Sequence, residues 1–107
     1  MDEQQQRGNG SAPVEMALDV VRKRWKASVL LELAGGGLRF GELHARLPAV
    51  SHKVLTEVLR ELVTDRMLAR AARPGRRKHV TYSLTPSGMS LVPVLRALEA
   101  WSAHGDS

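Results

Sequence analysis

Four cations, Arg73, Arg76, Arg77 and Lys78, crowd a Pro-Gly turn in the stretch "RPGRRKHVTYSLT". Like charges held together at a hairpin tip repel one another and cost stability. No Asp or Glu occurs between Asp65 and Glu99, so no acid nearby in the sequence neutralises them. An external polyanion is the economical explanation: phosphates along a DNA backbone, or a minor groove entered by an arginine. A second group, Ser51, His52, Lys53, Thr56 and Arg60, is carried by "SHKVLTEVLRELV" and points away from its apolar stripe. These residue types hydrogen-bond base edges and phosphates, and the N-terminal residues of a helix laid in the major groove reach the bases first. Ser51 can offer its hydroxyl or its backbone N–H to a phosphate. The plain alternatives are a solvated outer helix face and a loop kept soluble by arginine; the presence of two basic elements close in sequence favours the binding reading. Arg39 stays open between a phosphate contact and a pair with Glu42.

Other chemistries find little support. The chain has 107 residues, enough for one domain with a modest core. It contains no cysteine, which excludes disulfides, thiolate metal sites and thiol redox sensing. His44, His52, His79 and His104 are scattered, so no metal site or other cofactor is expected. Ser, His and Asp occur at no spacing that implies a nucleophile with its base, and the "GGG" run lacks the Lys-Ser/Thr of a phosphate loop, so an enzyme is not expected. The net charge of +5 suits a polyanionic partner. No signal peptide is readable and no apolar run approaches the roughly 20 residues that span a bilayer, so a cytoplasmic protein is expected.

The elements that must hold these residues follow from periodicity. "MDEQQQRGNGSA", residues 1–12, has almost nothing to bury and reads as a disordered arm. The folded domain is expected over residues 13–104, starting at Pro13, with residues 105–107 as a tail. "PVEMALDVVRKRW" places Val14, Ala17, Leu18 and Val21 on one face of a helix, and "KASVLLELA" reads as a second helix ended by Gly35 to Gly37. Leu38 to Phe40 is a candidate short strand; Phe40, Leu43 and Leu47 then share a helical face, stopped by Pro48. Ser51 caps the next helix, whose buried stripe is Val54, Leu55, Val58, Leu59 and Leu62, with Glu57 expected on the outer face. "LARAAR" and "HVTYSLT" read as two strands around the turn "PGRRK". Thr85 caps a final helix with Pro86 at its first position and Pro93 expected to bend or break it. The fold class is therefore mainly α with a small β-hairpin (α+β), a winged helix-turn-helix.

The terminal helices suggest a second surface. Leu91, Val94, Leu95, Leu98 and Trp101 form a stripe on the last helix, and Val14, Leu18 and Val21 form one on the first. A trihelical core already has its hydrophobes, so these stripes are expected to close a homodimer, with packing on their own domain as the alternative. A dimer would offer two recognition helices to half-sites roughly 34 Å apart.

These residues together resemble the HxlR family of bacterial winged helix-turn-helix regulators. The resemblance runs from Ala12 to Trp101 and rests on Trp25, "RFGEL", Val50-Ser51, "LRELV", "YSLTPSG" and the closing Trp101. It implies a dimeric DNA-binding transcriptional regulator, a repressor or dual regulator on a pseudo-palindromic operator, dimerising through its terminal helices. Small-molecule effectors, where they exist, would act near the dimer interface. The chain departs from the family pattern in three places. Ala12 stands where members often carry a sensing cysteine. "RKRW" replaces a Gly-Gly-Lys-Trp-like run. Arg66 replaces the glycine that usually follows the recognition helix, where a left-handed conformation costs a non-glycine about 1 kcal/mol, so that loop is expected to differ in shape. Two other classes stay in view: a winged-helix protein–protein module without specific DNA binding, and an RNA-binding basic domain, the latter disfavoured by scarce aromatics for stacking.

Overall fold

The structure is a computed structural model that describes residues 12–73 and 75–105, with side chains described for residues 22–72 and 79–103. The expected disordered arm lies outside the described residues except for Ala12. The elements run α1 (Ala12–Glu32), a 3-10 turn (Leu33–Gly35), β1 (Leu38–Arg39), α2 (Phe40–Arg46), α3 (His52–Thr64), β2 (Leu68–Arg73), β3 (Arg76–Leu84) and α4 (Pro86–Gly105).

Three boundaries differ from the sequence expectation. The first two predicted helices are one, α1, because no glycine or proline interrupts "VRKRWKAS" and nothing there releases the helical hydrogen bonds. Helix α4 runs through Pro93 without a break. Proline removes one helical hydrogen bond, but Pro93 is on the exposed side, where water can serve the carbonyl that loses its donor. The wing turn is also shorter than "PGRRK": β3 begins at Arg76, directly after Gly75, whose φ of 78° glycine adopts freely. The cations at 76–78 therefore belong to a strand.

A single buried cluster joins α1 (Val29, Leu30), the 3-10 turn (Leu33), α2 (Leu43), the following turn (Val50), α3 (Leu55, Val58, Leu59, Leu62) and β2 (Leu68). No polar or charged side chain is buried among the described residues. The sheet has the order β1-β3-β2, all antiparallel, with Leu38 opposite Tyr82 and Leu68 opposite Leu84. Tyr82 and Leu84 lean on the core and so attach the wing to the helices. Gly36, with φ 136°, makes the turn from the 3-10 segment into β1. No helix of the described residues is long and apolar enough to cross a membrane.

The end of α3 is a tight corner. Arg66 N–H donates to the Val63 carbonyl at 3.0 Å and Met67 N–H to the Leu62 carbonyl at 2.9 Å, the paired bonds of a Schellman cap. Such a cap needs a left-handed residue, and Arg66 supplies it with φ 62°. The departure from glycine is thus met by strain in Arg66 itself. The same corner receives the next helix. Thr85 Oγ1 donates to the Arg66 carbonyl at 2.7 Å, and Thr85 N–H donates to the Met67 carbonyl at 3.1 Å. Thr85 Oγ1 in turn accepts from Gly88 N–H at 3.1 Å, which caps α4 as the sequence suggests. Any side chain at Gly88 would collide with the Met67 carbonyl, so this close approach requires glycine.

Candidate nucleic-acid interface

Helices α2 and α3, with the turn between them, present the first group of predicted residues. Ser51 Oγ accepts from Val54 N–H at 3.1 Å and starts α3. Leu55, Val58, Leu59 and Leu62 bury the inner face, and this fixes the outer one: Ser51, His52, Lys53, Thr56 and Arg60 are all exposed. Glu57 departs from its expected outward position. It is half-buried on the flank facing α1, 3.7 Å from Arg22 Nη1. Glu61 joins it, with Oε2 3.5 Å from Arg22 Nε and Oε1 2.9 Å from Lys26 Nζ. The charge that "RKRW" adds at Arg22 is therefore turned inward, onto the acids of α3. Arg46 similarly meets Glu32 at 3.7 Å. The arrangement sorts the charges: the carboxylates of α3 face α1, while Lys53 and Arg60 make no ion pair among the described residues and stand on the exposed face.

The turn between α2 and α3 is fastened by His44. His44 Nε2 donates to the Val50 carbonyl at 3.0 Å, and Val50 N–H donates to the Leu47 carbonyl at 3.2 Å. The histidines are also less scattered than the sequence suggests. The His44 and His52 rings lie 4.2 Å apart between centroids, and Phe40 stacks on His44 at 6.4 Å and tilts against His52 at 5.3 Å. This aromatic group sits at the N-terminal end of α3. Among the described residues no group of three or more His, Asp or Glu is placed to hold a metal ion.

Arg39 resolves into two contacts. Its backbone N–H donates to Glu42 Oε1 at 2.8 Å and caps α2, so Glu42 meets the main chain of Arg39. The Arg39 guanidinium reaches the wing, where Nη1 donates to His79 Nδ1 at 3.2 Å. Because arginine only donates, that His79 nitrogen is the acceptor in this contact. Arg39 stays exposed at the root of the wing. Arg73 and Arg76 pair across the hairpin, next to a register irregularity at Ala72 and Arg73. The side chains of Arg73, Arg76, Arg77 and Lys78 lie outside the described residues.

The predicted dimer residues divide. Leu91 and Leu95 are half-buried against the core of their own domain. Val94, Leu98 and Trp101 are exposed, one turn apart along α4. The side chains of Val14, Leu18 and Val21 lie outside the described residues.

Three helices around one core, a polar second helix after a tight turn and an antiparallel hairpin behind it define a winged helix-turn-helix of the kind that binds DNA. Comparison with known proteins supplies the family. The HxlR-like helix-turn-helix family matches residues 20–105, and the chain belongs to it. It is 38% identical over 90 residues to the uncharacterized HTH-type transcriptional regulator YvaP of Bacillus subtilis, covering 84% of this chain and 83% of the relative. It is 33% identical over 96 residues to the HTH-type transcriptional regulator YodB of the same organism, covering 89% and 86%. Among solved structures, the redox regulator HypR in its reduced form superposes with TM-score 0.69 at 31% identity, covering 89% of this chain and 94% of that one. Quinone-bound YodB superposes with TM-score 0.67 at 30% identity, covering 86% and 96%. The protein is a DNA-binding transcriptional regulator, as these relatives are, and its family is one of regulators and not of enzymes.

Proposed function

We propose that two copies of the chain assemble through α4 and α1 and bind a pseudo-palindromic operator, acting as a repressor or dual regulator in the cytoplasm. Lys53, Thr56 and Arg60, with Ser51 and His52 at the N-terminal end of α3, enter the major groove. Arg39 and the wing cations Arg73, Arg76, Arg77 and Lys78 contact the backbone or the minor groove. The observation that carries this reading is the sorting of charge on α3. Glu57 and Glu61 are drawn to Arg22 and Lys26, which leaves an outer face of hydrogen-bonding and cationic residues with no carboxylate ion-paired to it among the described residues. The exposed Val94, Leu98 and Trp101 supply the surface for a second copy.

An effector bound between terminal helices would act on the same dimer. YodB has been crystallised with quinone bound. The present chain has no cysteine, so an effector here would not be held as a thiol adduct.

Selection of bound duplexes from a random pool at near-physiological salt tests the proposal. An inverted repeat with half-sites about one helical turn apart is the expected result, with base preference altered by Lys53→Ala or Thr56→Ala. Weak binding without enrichment would instead favour a winged-helix module for a protein partner.

A further inference from the structure

Strand β2 carries an arginine that neither the turn nor the recognition helix explains. Arg70 lies directly opposite Tyr82, two residues on from the Leu68–Leu84 pair. Alternation along a strand puts Leu68 and Arg70 on one face of the sheet, the face that packs on the helices. Leu68 is in the core, yet Arg70, one step further toward the wing, is exposed. Ala72, the next residue of the strand on that face, is too short to cover it.

The surroundings of Arg70 are open and cationic. Together with Thr56, Arg60 and Tyr82 it lines a cleft of about 370 Å³ between the outer side of α3 and the wing. With Tyr82 it also lines a second cleft, toward Arg39 and Glu42 at the start of α2. Glu42 itself lines that second cleft, and one of its oxygens accepts from the Arg39 backbone. Among the described residues the Arg70 side chain makes no ion pair and no hydrogen bond. Two guanidinium groups, Arg60 and Arg70, thus line one cleft that no carboxylate lines among the described residues.

When α3 occupies the major groove and the wing approaches the adjoining minor groove, the strand that separates the grooves must pass between them. The cleft of Arg60 and Arg70 lies between α3 and the wing, where that strand would pass. We infer that Arg70 is a further DNA-contacting residue, which holds a backbone phosphate of the strand running between the recognition helix and the wing. A guanidinium presents several donors to phosphate oxygens in a planar fork, which suits this role. Tyr82 sits across from Arg70 on the same sheet and forms the floor beside the phosphate. The inference rests on the DNA-binding reading above and adds to it a contact that positions the duplex without reading sequence.

The test is duplex affinity measured against salt concentration for the wild-type chain and for Arg70→Ala, on the selected operator and on an unrelated duplex. Loss of one phosphate contact should reduce the log–log salt slope by about 0.9 and weaken both duplexes by the same factor. Arg70→Lys should restore most of the slope. An Arg70→Ala slope equal to wild type would overturn the inference while leaving the DNA-binding reading in place, and so would weakening on the operator alone. A wild-type chain that binds no duplex would overturn both. If Arg70→Ala unfolds, Arg70→Gln retains the apolar stem without the charge, and the same slope criterion applies to it.

Discussion

Helices α3 and α4 are both amphipathic, and they dispose of their apolar faces in opposite ways. On α3, Leu55, Val58 and Leu59 are at most 1% exposed, closed over by α1, α2 and β2 of the same chain. On α4, Leu91 and Leu95 reach that core from its edge, while Val94, Leu98 and Trp101 remain 52%, 56% and 73% exposed. The difference teaches what each helix is for. The apolar face of α3 exists to orient its polar one. The apolar face of α4 is not fully covered by the described residues of its own domain, and the proposed second copy would cover Leu98 and Trp101.

This contrast can be broken experimentally. The largest effect should come from Leu59→Ala, which removes a fully enclosed side chain and should destabilise the domain by about 2–5 kcal/mol in urea unfolding. A loss well under 1 kcal/mol would mean that the inner face of α3 is not the core. The combined change Leu98→Ala with Trp101→Ala should act elsewhere. Stability of the isolated protomer should shift by about 0.5 kcal/mol or less, while self-association measured by sedimentation weakens by at least about tenfold. A large stability loss in the dilute protomer would place both side chains in an intramolecular role. The smallest effect sharpens the picture where α3 ends. Arg66→Gly should raise stability by about 1 kcal/mol in thermal unfolding, because glycine takes the left-handed conformation without the Cβ penalty. No gain would show that the Arg66 side chain offsets its own backbone strain.

Much of this could be read from the sequence where one residue's environment is set by near neighbours. The stripe on α3, its Ser51 cap and the Thr85-Pro86 start of α4 are local features, and all are present. What escaped reading depends on distant parts of the chain. Glu57 sits at the border of the α3 stripe, and only the packing of α1 beside it, which brings Arg22 within 3.7 Å, decides which way it faces. His44 and His52 meet because the turn folds α2 back onto the start of α3. Arg70 was invisible for another reason: in "LARAAR" the alanines carry too little hydropathy contrast to assign a face, and only the register against Tyr82 does so. The two helices expected over α1 are one because no breaking residue separates "PVEMALDVVRKRW" from "KASVLLELA".

The corner at Arg66 and Met67 has a mechanical consequence. Two consecutive carbonyls there hold Thr85, so the end of α3, the root of the wing and the start of α4 are pinned at one point. Those elements should turn as a single solid piece. In a twofold assembly joined by α4, each such piece becomes the arm of a calliper whose pivot is the α4 contact. A small roll at the pivot would change the gap between the two tips while leaving each tip undeformed. Control of such a molecule would then consist in setting its gauge against the fixed pitch of the double helix.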